Sequence, residues 1–148
     1  MSTLRYKAAA AAGTLYFICG PGALPAEAPV PAPAGPDSVQ LVGVLLVAVG
    51  GRPRISVGIG NRTDRLLWLR ITVDAGREVV CEDERLALRG MKIEWYACAV
   101  DPVVEGRAYP VRIEIYGDEW SEEPDGVKTA RPVFTRRDIQ QLQPKLRR

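Results

Sequence analysis

A chain of 148 residues with 47% hydrophobic and 26% charged side chains has room for one core and is not the composition of a disordered or fibrous protein. It contains no histidine, which removes the usual general base, the Ser-His and Cys-His nucleophile pairs and the commonest metal ligand. The formal net charge is only +2, so no whole-molecule field points to nucleic acid.

The first elements read as an address. Arg5 and Lys7 precede the uncharged apolar run at 8–19, and small residues with helix breakers follow in GPGALPAEA. That is the order of a secretory signal peptide, expected over 1–26. The apolar run of about twelve residues falls short of the roughly 20 needed to span a bilayer, and Pro21 and Pro25 interrupt any continuation, so no stable membrane span is expected. Cleavage after Ala26 or after Ala28 fits the small-residue pattern, and Pro29 hinders the second. Cys19 invites lipidation, but Ile18 before it is large where such signals take a small residue. Removing Arg5 and Lys7 from the 20 basic residues leaves 18 against 18 acidic ones, a near-neutral mature chain. Export implies a periplasmic or secreted location, and richness in Ala, Arg, Gly and Pro suggests a bacterial source.

Residues 27–38 are rich in Pro and Ala and read as an extended spacer, because each proline ring fixes φ and removes a donor. From Val39 the apolar residues recur at period two, the signature of strands with one wet face. VQLVGVLLVAV at 39–49 is apolar on both faces and predicts an interior strand or one covered on both sides. Gly50-Gly51 predicts a tight hairpin into a strand at 54–60, where Ile55, Val57 and Ile59 share a face. Asn61 to Asp64 marks a turn; Asn61-Arg62-Thr63 also fits the glycosylation acceptor pattern, a frequent chance match that a bacterial source leaves unmodified. Next, Leu67, Leu69, Ile71 and Val73 face in, opposite Trp68, Arg70, Thr72 and Asp74. Shorter strands are expected at 78–81 and 92–100. In the latter, Ile93, Trp95, Ala97 and Ala99 oppose Tyr96, Cys98 and Val100, and either set suits a core. Val111, Ile113 and Ile115 face in on a further strand, and 127–134 supplies the last. About seven strands over residues 39–134 predict an all-β fold, an antiparallel β-sandwich. In 135–148, Thr135 caps a short helix with Asp138 at its third position, and Pro144 stops it, leaving a short basic helix or tail.

With Cys19 removed in an oxidising compartment, Cys81 and Cys98 form an even pair, and a disulfide is the expectation. Two cysteines without histidine make a poor zinc set, and no Cys-x-x-Cys redox motif is present. The string Tyr96-Ala97-Cys98-Ala99-Val100 resembles the Tyr-x-Cys-x-Val run of F strands in immunoglobulin domains. The resemblance implies an immunoglobulin-like sandwich in which the tyrosine hydroxyl braces a corner and the cysteine enters an inter-sheet bond. It covers five residues, and the spacing departs from the family: here Trp68 precedes Cys81 instead of lying between the cysteines.

Three functional readings remain. Signal, spacer and sandwich without catalytic equipment point to an exported non-enzymatic module for an unidentified protein partner or an accessory of the bacterial envelope, with no cofactor. A ligand-binding reading places a sugar or a cation at Tyr116, Asp118, Glu119, Trp120 and Glu122, since aromatics stack on sugar rings and acidic loops offer hard oxygen ligands; the spacing does not match an EF-hand. A carboxylate-based hydrolase would draw on the same loop or on Glu82, Asp83 and Glu84. Arg136, Arg137, Lys145, Arg147 and Arg148 form a basic end suited to weak contact with an anionic surface.

Overall fold

The computed structural model describes residues 34–146; the expected signal peptide and most of the expected spacer lie outside them. Eight strands form two antiparallel sheets packed as a sandwich: β1 (Val39–Val49), β2 (Arg52–Asn61), β3 (Leu67–Asp74), β4 (Glu78–Val80), β5 (Leu86–Leu88), β6 (Ile93–Cys98), β7 (Val111–Tyr116) and β8 (Gly126–Ala130). One sheet is three-stranded in the order β1-β2-β6; the other is five-stranded, with β4-β3-β7-β8 in line and β5 also paired to β3.

Period-two patterning fixes the inward faces. Ile55, Val57 and Ile59 of β2 meet Leu67, Leu69, Ile71 and Val73 of β3 and Val111, Ile113 and Ile115 of β7 in one core, all of them buried. Gly50 and Gly51, both at positive φ, make the two-residue turn between Val49 and Arg52, a conformation that costs a residue with Cβ far more than glycine. The expected turn after β2 is organised by Asn61, whose Oδ1 accepts from the Thr63 N–H at 2.9 Å while its Nδ2 donates to the carbonyls of Arg65 and Leu88. Because that amide is buried and engaged on both hydrogens, the acceptor pattern at Asn61 is a turn device in the folded chain.

Four expectations change against the structure. First, β1 is an edge strand, paired with β2 alone; its two apolar faces have unequal fates, because Leu41, Val44 and Leu46 pack on the core whereas Val42, Leu45 and Val49 are exposed. Second, the charged stretch after Cys81 contains the short strand β5, whose Leu86 and Leu88 pair with Leu69 and Leu67 of β3. Third, residues 34–38, the end of the expected spacer, lie on the domain: Ala34 is buried in the core, and Pro36–Ser38 form a 3-10 turn beside Gly126. Fourth, β6 does not occupy the place of an immunoglobulin F strand. It pairs with β2 at the edge of the three-stranded sheet, and β7 is the strand enclosed between β3 and β8.

The open register at 92–100 resolves with Tyr96, Cys98 and Val100 inward. Cys98 on β6 is joined to Cys81, which directly follows β4 and donates its N–H to the Ile71 carbonyl of β3. The disulfide thus ties one sheet to the other. Tyr96 adds a second tie, donating its hydroxyl to the Ala87 carbonyl of β5 at 3.2 Å. Burial, with Glu94 and Glu82 nearby, pushes its phenol up to about 12. At the end of the chain, α1 (Arg136–Leu142) carries the expected capping box: Thr135 Oγ accepts from the Asp138 N–H and Asp138 Oδ2 accepts from the Thr135 N–H. Leu142 is buried and α1 packs beside β1.

Candidate interaction surface

The two sheets present opposite chemistry to solvent. On the five-stranded sheet, the outward residues of β3 and β7 are Trp68, Arg70, Thr72, Arg112, Glu114 and Tyr116. Arg70 is the hub, with Nε 2.6 Å from Glu84 Oε2, Nη2 3.7 Å from Glu78 and Nη1 3.8 Å from Glu114. Arg112 Nε lies 2.9 Å from the other Glu114 oxygen, and the Tyr116 hydroxyl donates to Glu114 at 2.9 Å. Partial burial pushes the Glu114 carboxyl up, but the hydrogen bonds from Arg112 and Tyr116 and the charges of Arg112 and Arg70 outweigh it and hold the group below its ordinary value. Arg70, Arg112, Glu78, Glu84 and Glu114 each have a partner of opposite sign.

The three-stranded sheet presents Gly43, Leu45 and Val47 of β1, Ser56, Gly58 and Gly60 of β2, and Ile93, Trp95 and Ala97 of β6, aligned in rows by the register Gly43↔Gly58↔Trp95 and Leu45↔Ser56↔Ala97. None of these nine positions is charged; Arg52 and Arg54 follow only at the hairpin end. The glycines are what shape the face. A Cβ on Gly58 would stand 2.7 Å from three ring carbons of Trp95, and one on Gly43 would touch the same ring at 3.5 Å. The missing side chains let the indole lie across the sheet instead of standing off it. Trp95 is nonetheless 44% exposed, beside Leu45 at 51% and Ile93 at 57%. Buried aromatics stabilise by their covered area; here the indole covers backbone with one surface and leaves the other open.

A groove of about 450 Å³ adjoins this face where β1 runs past the residues leading into α1. Its walls include Leu46 and Val47 on one side and Phe134, Gln141, Leu142 and Lys145 on the other. The strand bordering it has an unpaired side, since β1 bonds to β2 only.

The sequence-predicted ligand residues are distributed differently. Tyr116 is buried at the end of β7 under the Arg85 guanidinium, 3.5 Å from its ring centroid. Arg85 Nη2 also donates to the Ser121 carbonyl, while its Nη1 is buried with no hydrogen-bond partner among the described residues and has the aromatic face in its place. Asp118 accepts from the Trp120 N–H at 2.8 Å, a local turn bond, and Trp120 is 83% exposed. Glu119 is half-buried and Glu122 exposed. No three Asp, Glu or Cys side chains among the described residues converge on a point that would hold a metal ion. In the earlier acidic cluster, Glu82 accepts from the Ala97 N–H, Asp83 from the Glu84 N–H, and Glu84 binds Arg70, so each carboxylate has a structural partner. Cys81 and Cys98 are both fully buried in their disulfide.

Sequence reasoning does not single out the outer face of the three-stranded sheet, although its signal is legible there: β1 is apolar at every position but Gln40 and Gly43, and β6 is apolar at every position but Glu94. No helix among the described residues is long and apolar enough to cross a membrane. Comparison with known family models finds no match, and comparison with curated proteins finds none either.

Proposed function

We propose that this chain is an exported, non-enzymatic module, periplasmic or secreted, that binds another protein through the outer face of its three-stranded sheet. The observation carrying this reading is the uncharged face built around Trp95, Leu45 and Ile93. Exposed contiguous apolar patches rimmed by polar residues mark interaction sites on soluble proteins. Trp95 is the natural anchor, since large rigid aromatics concentrate binding energy when a partner desolvates their open side. The partner's matching patch is apolar and carries carboxylates where Arg52 and Arg54 rim the hairpin end. Three strands about 4.8 Å apart and six residues at about 3.3 Å each give a face of roughly 300 Å², less than half of the about 800 Å² per partner of a standard interface. Binding through the face alone is therefore weak, and a tight complex takes in adjoining surface.

A photocrosslinking amino acid at Leu45, on this face, and at Arg112, on the opposite one, tests the reading in the cells that make the protein. A discrete protein adduct from Leu45 and none from Arg112 supports it; equal adducts, or none from Leu45, remove it. Export is tested separately by intact mass: loss of the first 26 or 28 residues supports it, and material retaining Met1 with alkylatable thiols contradicts it. A second reading, a sugar-binding module, is favoured by the exposure of Trp120 alone. A thermal shift with millimolar sugars that Trp120→Ala abolishes would establish it in place of the first.

A further inference from the structure

We propose that the groove between β1 and α1 accepts one extended peptide segment of the partner protein, added as a strand to the free edge of β1, with apolar side chains toward the groove walls and a carboxylate toward Lys145. This rests on the reading of the chain as a protein-binding module and names the kind of segment that it binds.

The first support is the contrast among the edges of the two sheets. A strand edge exposes a row of unpaired N–H and C=O groups, and proteins blunt such edges with short strands, charges or capping side chains. The edge at β6 is capped by the Glu82 carboxylate, which accepts from the Ala97 N–H at 2.7 Å. β4 and β5 are three residues each. β8 is five residues long and carries Lys128, whose Nζ donates to the Val39 carbonyl at 3.0 Å. β1 has eleven residues, no charge and no proline. Beyond Val39, no hydrogen bond among the described residues reaches the outward side of its backbone.

The second support is the size of the space. Val44 to Ala48 border the groove, and five residues span about 16 Å at about 3.3 Å each. Spread over that length, about 450 Å³ leaves a cross-section of about 28 Å², less than the roughly 48 Å² of a strand at the about 4.8 Å spacing within a sheet and about 10 Å between sheets, so the groove takes no more than one extended peptide, with the side chains of its other face left in solvent. A single peptide fits between the walls. The edge of a second folded copy would bring its own sheet against α1. Strand addition of this kind draws affinity from main-chain bonds and specificity from alternate side chains.

The third support is charge. Asp138 lies at the groove, but its carboxylate is taken by the Thr135 N–H and hydroxyl at 2.8 and 2.9 Å. Lys145 has no ion pair among the described residues. The groove therefore favours an acidic residue at that end.

A displayed library of random twelve-residue peptides, selected on the intact protein, tests the proposal. Expected are peptides with alternating apolar residues and an Asp or Glu near one end. Their amide-exchange footprint slows exchange at least tenfold at alternate positions between Val44 and Ala48. Gln141→Trp, an exposed position whose indole would fill the groove, abolishes their binding, and Lys145→Glu weakens acidic peptides about tenfold while improving basic ones. Selection of no peptide, or of peptides indifferent to both substitutions, overturns the proposal. The broader reading is scored apart from it: a partner crosslinked at Leu45 whose binding survives Gln141→Trp but not Trp95→Ala leaves the module reading standing and removes the groove.

Discussion

The two outer faces of this sandwich are built from the same kind of backbone and carry opposite solutions to the same problem. Each sheet buries one face, and the other must meet water. The five-stranded sheet does so with Arg70, Arg112, Glu78, Glu84 and Glu114 in a closed set of ion pairs. The three-stranded sheet places glycines under an indole and leaves Leu45, Ile93 and Trp95 open. Ion pairs on a surface contribute little to stability, typically below about 1 kcal/mol, but they keep a face solvated and unattractive to apolar partners. An exposed apolar face contributes nothing to the folding of the isolated chain and gains only when something covers it. The difference teaches that the polar sheet carries its own means of meeting water, whereas the apolar one has the composition of an interior surface, which is what the proposed binding role draws on.

The largest change to this arrangement comes from cutting the tie between the sheets. The Cys81–Cys98 link closes a loop with a sequence separation of 17, and replacing both cysteines by alanine is expected to cost on the order of 3 kcal/mol, read as a lower urea midpoint with both faces released together. Gly58→Ala separates stability from binding. Its Cβ would meet the far end of the Trp95 indole, and because that ring is partly exposed it can swing outward, so the expected loss is only about 1 kcal/mol. The Leu45 crosslink should vanish with it. Arg70→Ala acts on the other face and is expected to cost under about 1 kcal/mol, with the difference from the parent shrinking as salt rises; the Leu45 crosslink should stay. The smallest effect is the pH response of the polar face. The Glu114 carboxyl is held below its ordinary value in the folded chain, so its contribution is present above about pH 4.3, the unfolded value, and is lost as pH falls through the folded one. Thermal melts should show a stability loss on acidification below about pH 4.3 that Glu114→Gln reduces.

Much of the fold is legible in the residues because burial on one side of a strand writes a period of two. Ile55 to Ile59, Leu67 to Val73 and Val111 to Ile115 all face the core as that period requires, and the Thr135 cap with Asp138 follows from local hydrogen bonding alone. The pairing of Cys81 with Cys98 is the one expected when Cys19 is set aside with the signal peptide, a step that the sequence reading takes as an expectation. What failed is what depends on long-range placement. β1 looked like an interior strand because an apolar residue carries no mark of whether its cover is this chain or another. β5 was hidden in a charged stretch because three residues hold too little pattern, and Leu86 and Leu88 become a strand only through β3. The F-strand resemblance at Tyr96 to Val100 predicted a tie between sheets, which the disulfide makes, but not the strand order, which is set by contacts far apart in sequence. The candidate site fared worst. Tyr116 reads as a ligand residue of the acidic loop and is capped by Arg85, while Trp95 falls on a strand either face of which suits a core, because nothing in its own neighbourhood reveals the glycines of β2 and β1 that it lies across.

The most direct test is the affinity of the protein crosslinked at Leu45 for two variants that differ in which face they touch. Trp95→Ala should weaken binding by about 30-fold, as loss of a 2 kcal/mol anchor implies, and Arg70→Ala should leave it within about twofold. Equal affinities for both variants, or a greater loss with Arg70→Ala, would contradict the assignment of the three-stranded sheet as the binding face.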